Sequence, residues 1–67
     1  MIDPTLRAVL KDNGLNHAVV CDHDKGLRSR GAVEGATYVR SDAEVMCAHL
    51  NLMYASVHKD AFIVVDL

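Results

Sequence analysis

The chain has 67 residues and a formal net charge of −2, with seven basic and nine acidic side chains scattered along it. A hydrophobic fraction of 51% excludes intrinsic disorder. The charge balance and a mere three aromatics (Tyr38, Tyr54 and Phe62) exclude the basic, stacking face that a nucleic-acid binder needs.

Size sets the next constraint. Below roughly 70–80 residues a single core seldom supplies more than about 3–5 kcal/mol. Residues 1–67 therefore read as one small domain that needs a staple, a metal or a partner. Cys21 and Cys47 could form one bridge at most, and no basic stretch followed by an apolar one opens the chain. Both features point to a reducing, cytoplasmic setting. The longest unbroken apolar run, Ala61 to Val65, is far short of a membrane span, so direct membrane insertion is not expected.

In chain order, Asp3-Pro4 is a helix opening: Asp caps, and Pro is tolerated where the missing N–H would be unpaired anyway. Ile2, Leu6, Val9 and Leu10 form one apolar stripe, and Asn13-Gly14 stops the helix, which spans about 3–12. So short a helix is marginal alone and must dock. Ala18 to Cys21 is β-rich and apolar on both faces of the pleat, which implies cover on both. Asp24-Lys25-Gly26 fits a tight turn, and Leu27 to Val33 reads as a return strand whose Arg28 and Arg30 suit an edge.

Glu34 to Arg40 reads as a loop, followed by a capping box at Ser41-Asp42-Ala43-Glu44 and a helix over 42–57. Met46, Leu50, Met53 and Val57 make one stripe of that helix. Val45, Ala48, Leu52 and Ala55 widen it beyond what a surface helix needs. Lys59-Asp60 breaks the pattern, and Ala61 to Val65 is the strongest strand signal in the chain, apolar on both faces. The fold expected is α+β: a small antiparallel sheet, in the order α-β-β-α-β, with helices packed on its faces.

Chemistry is sparse. Cys21 and His23 share a strand face and could meet one ion or form a small thiol site, which is the alternative function. Cys47 and His49 diverge by about 200° on a helix and cannot chelate together. Asp22 and Asp24 flank a turn, where acids bond their own backbone, and they lack calcium-loop spacing. Gly26, Gly31 and Gly35 match no phosphate-binding pattern. No catalytic group, cofactor site or metal site stands above its structural explanation, so the protein is read as non-enzymatic.

Lys11-Asp12-Asn13 leading into Ala18-Val19-Val20-Cys21-Asp22, then Lys25-Gly26-Leu27 and Arg30-Gly31, resembles the opening of roadblock/LC7 domains. The second helix and the Phe62–Val65 strand fall where that family places its long helix and third strand, so the resemblance covers about residues 6–66. It implies a dimerising scaffold that pairs third strands and long helices, with protein partners that include small-GTPase complexes, in some cases at a membrane surface. A full domain of that family has two more strands between the hairpin and the third strand. This chain lacks them, so either it is a truncated relative or its last strand pairs directly beside Val19–Cys21.

The apolar excess gives the same expectation from physics alone. A chain this small cannot cover its own apolar surface, so a second polypeptide, the same or different, is expected on the 42–57 helix and the 61–66 strand. The candidate interface residues are Val45, Met46, Leu52, Met53, Phe62, Ile63, Val64 and Val65.

Overall fold

Two helices and a three-stranded antiparallel sheet follow in the order α1 (Pro4–Asp12), β1 (His17–Cys21), β2 (Val33–Thr37), α2 (Arg40–Met53) and β3 (Phe62–Asp66). The computed structural model describes residues 2–22, 31–57 and 59–67. The α+β class expected from the sequence is the class observed. The sheet order is β2-β1-β3, so the last strand lies directly beside β1.

Local chemistry explains the start of the chain. Asp3 caps α1 by accepting from the Thr5 N–H at 3.0 Å, and Pro4 occupies the first turn. Gly14, at φ 83°, follows the C-cap in the left-handed conformation that stops the helix. Contrary to the expectation that it must dock, α1 buries none of its residues, and Val9 is 51% exposed. It is held instead by polar ties, chiefly Arg7 Nη2 donating to the Asp66 carbonyl at 2.6 Å.

Four further boundaries differ from the sequence reading. Strand β2 is Val33–Thr37, inside the stretch read as a loop, and it shares only Val33 with the described part of the return strand expected over Leu27–Val33. Residues 27–30, with the Asp24-Lys25-Gly26 turn, lie outside the described residues. Glu34 and Gly35 have low strand propensity, but pairing to β1 overrides it. The capping box at Ser41 does not form. Helix α2 starts at Arg40 with Val39 at the N-cap and no side-chain cap bond. Arg40 is drawn into the helix by its guanidinium, which bridges Asp66 Oδ1 at 2.9 Å and Glu44 at 3.3 Å one turn on. At the other end α2 stops at Met53, not at 57, and residues 54–57 make tight turns instead. The chain then reverses into β3 through Asp60 at φ 57°, a position short polar residues tolerate. Last, β3 starts at Phe62, one residue later than expected.

The core lies between α2 and one face of the sheet. Val19, Cys21, Ala43, Ala61 and Phe62 are fully buried, surrounded by Met46, Cys47, Leu50, Tyr54 and Val64. Tyr54 and Phe62 pack as tilted rings with centroids 5.7 Å apart. Helix α2 comes so close to β2 that a Cβ on Gly35 would stand 2.5 Å from Met46 Sδ. All four residues from Ala18 to Cys21 are buried, as the two-faced apolar pattern of that strand required. The register pairs Val19 with Val64 and Cys21 with Phe62 on the α2 face. Ala18 with Val65 and Val20 with Ile63 lie on the opposite face.

Truncating Phe62 to Ala should cost about 3–5 kcal/mol, comparable with the whole stability that so small a core supplies. A thermal melt followed by circular dichroism should therefore lose its cooperative transition in Phe62→Ala. Val45→Ala, on the exposed side of α2, should stay within about 0.5 kcal/mol of the parent.

Candidate interaction surface

Helix α2 is apolar on two opposite sides. Its inward arc is Ala43, Met46, Cys47, Leu50 and Tyr54, at the i, i+3, i+4 spacing that faces the sheet. Its outward ridge carries Val45 at 71%, Leu52 at 76% and, on the flank, Met53 at 57% exposure. Ala48 and His49, also exposed, lie between Val45 and Leu52 along that ridge.

The eight residues singled out from the sequence do not form one surface. Val45, Leu52 and Met53 stand on the outward side of α2. Met46, Phe62 and Val64 belong to the layer between α2 and the sheet, with Phe62 only 2% exposed. Ile63 and Val65 point to the other sheet face, where they line a cleft of about 200 Å³ with Ile2, Arg7, Val20, Cys21 and Asp22. The exposed helical residues Val45, Leu52 and Met53 are thus on the opposite side of the sheet from Ile63 and Val65.

The edge of β3 has a structure of its own. Cys21 gives its N–H to the Ala32 carbonyl and accepts from the Gly31 N–H, so it spends both backbone groups on the β2 side. Asp22 N–H to Ala61 O and Leu67 N–H to Asn16 O are bonds between the β1 and β3 segments. In an antiparallel ladder these directions alternate, so Phe62, Val64 and Asp66 turn their N–H and C=O groups away from β1. At Phe62 both are taken by one side chain: Asn51 Oδ1 accepts from the Phe62 N–H at 2.9 Å, and Asn51 Nδ2 donates to the Phe62 carbonyl at 3.1 Å. At Asp66 the carbonyl accepts from Arg7.

Asp66 is also a polar corner where four elements meet. Its carboxylate accepts from Arg40 Nη1 at the start of α2 and lies 2.9 Å from His17 Nδ1 on β1, while its carbonyl takes Arg7 of α1. Exposed pairs of this kind contribute roughly 0.2–1 kcal/mol each, so they orient the elements more than they stabilise them. Asn51, Arg7, Arg40 and Asp66 were not singled out from the sequence. The signal for Asn51 was present: an Asn with poor helix propensity at i+4 from Cys47 and i−3 from Tyr54 falls on the inward arc.

Thiol chemistry is subdued. The Cys47 Sγ–H donates to the Phe62 carbonyl at 3.2 Å, and Asn51 Nδ2 approaches its sulfur at 3.5 Å. Burial pushes the Cys47 pKa above the ordinary thiol value and Asp60 adds to the rise, while the Asn51 hydrogen bond opposes it. No group of three metal-ligating side chains gathers among the described residues, and His23, the companion expected for Cys21, lies outside them. Among the described residues no helix is long and apolar enough to cross a membrane. Comparison of the chain with protein-family models, with curated proteins and with solved structures finds no match.

Because the thiolate is the reactive form and Cys47 holds its proton to higher pH, its alkylation should lag behind that of an ordinary thiol. Site-resolved mass spectrometry at mildly alkaline pH should show slow modification by iodoacetamide in the folded protein and fast modification in urea.

Proposed function

We propose that this chain is a non-enzymatic association module whose outward α2 ridge takes a second copy of itself. The observation that carries the reading is the exposure of Val45, Leu52 and Met53 along one side of a helix whose other side is already committed to the core. Surface helices place polar residues there. The ridge is self-complementary. Val45 and Leu52 stand one heptad apart, so an antiparallel pair with its two-fold axis near Ala48 and His49 sets each Val45 against the partner's Leu52. Ala48, being small, lets the helices approach closely.

A ridge of a few side chains falls well short of the roughly 800 Å² per partner of a stable complex. The pair is accordingly a weak one that forms at high local concentration. The resemblance of residues 6–66 to roadblock/LC7 domains supports the same class of function, since that family works by dimerising and by scaffolding small-GTPase complexes, some at membrane surfaces. In that reading the chain is a cytoplasmic scaffold brought to its site by protein partners.

Sedimentation equilibrium across micromolar to millimolar concentration tests the proposal. The parent protein should rise toward the mass of a pair, whereas Leu52→Glu should keep the same circular dichroism spectrum and the mass of a single chain. A parent that stays a monodisperse monomer over the whole range would overturn it.

A further inference from the structure

We propose that Asn51 and Arg7 guard the free edge of β3, and that the Asn51 side-chain amide occupies the place an added strand would take. A strand that extends a sheet offers a C=O to an outward N–H and an N–H to an outward C=O. The primary amide of Asn51 offers the same two groups to the two outward groups of Phe62, at 2.9 and 3.1 Å, lengths ordinary for ladder hydrogen bonds. Two residues further on, Val64 is the next outward position, and two beyond that the Asp66 carbonyl is taken by Arg7 at 2.6 Å.

The guards therefore hold the first and last outward positions of a five-residue strand and leave Val64 between them. An incoming strand needs several alternate residues in succession. Among the described residues it finds one outward position, Val64, whose backbone groups carry no partner, flanked by a side chain from α2 at one end and a side chain from α1 at the other. The need for such guards is plain in the sequence. Phe62-Ile63-Val64-Val65 is uncharged, β-prone and free of Pro and Gly, the composition of a strand that templates others. Withdrawal of Asn51 frees the Phe62 N–H and leaves its carbonyl with the weak Cys47 thiol donor alone, which joins Phe62 to Val64 as a docking register, so the Asn51 amide is the main closure of a strand-addition site. The β3 edge and the outward α2 ridge share no residue, so the guard on one is independent of any partner on the other.

Two measurements test it. Amide hydrogen exchange on dilute parent protein should find the Phe62 amide protected and the Val64 amide fast. Equal protection of the two would overturn the proposal, as would a fast Phe62 amide. An acetylated peptide of the Ala61–Leu67 sequence serves as the probe strand. Titrated into labelled protein, it should bind Asn51→Ala about tenfold or more tighter than the parent, with Arg7→Gln between the two. Equal binding to the parent and to a folded Asn51→Ala would overturn the guard role. Should Asn51→Ala fail to fold, the exchange comparison on the parent decides alone.

Discussion

The pairing of Asn51 with both backbone groups of Phe62 is the contact on which the rest of this small fold depends. One helix of 14 residues covers a face of the sheet and, through that amide, satisfies both outward backbone groups at the start of the outer strand β3. The same contact places Phe62 against Tyr54 and Cys47, and so fixes how α2 lies across β1 and β3. A buried backbone group left without a partner costs about 1–3 kcal/mol, a large share of what a core of this size provides. Packing and polar satisfaction are therefore one constraint here, met by one side chain.

What remains apolar after that constraint is met is distributed unevenly. The outward side of α2 is exposed, the second face of the sheet is lined in part by Ile2 and Arg7, and no residue of α1 is itself buried. Polar ties at Asp66 add to the ladder between β1 and β3 and to the packing of α2, and they fasten α1 to β3. The molecule thus has a firm side, between α2 and the sheet, and a loosely fastened one.

How much of this was legible in the sequence follows from which forces are local. The Asp3-Pro4 opening, the Gly14 stop, the buried run at Ala18–Cys21 and the final strand all rest on residues acting near themselves, and all are found in the structure. Strand β2 was not legible, because Glu34-Gly35-Ala36 has no strand propensity of its own and is shaped by β1 and by the close approach of Met46. The start of α2 was misplaced for a related reason: Arg40 joins the helix through Asp66, 26 residues away, which no capping rule anticipates. The double apolar character of α2 was readable from periodicity. The division of the candidate residues between two sides of the sheet was not, because it depends on the register of β3 against β1.

The strand order has a consequence in time as well as in space. Strand β1, the most enclosed part of the molecule, sits between a neighbour made soon after it and one made about forty residues later. At the pace of a ribosome, about 5–20 residues per second, Val19, Val20 and Cys21 wait some seconds for β3 to emerge. During that interval a newborn chain is without the neighbour that later covers one edge of an apolar segment which the finished fold encloses.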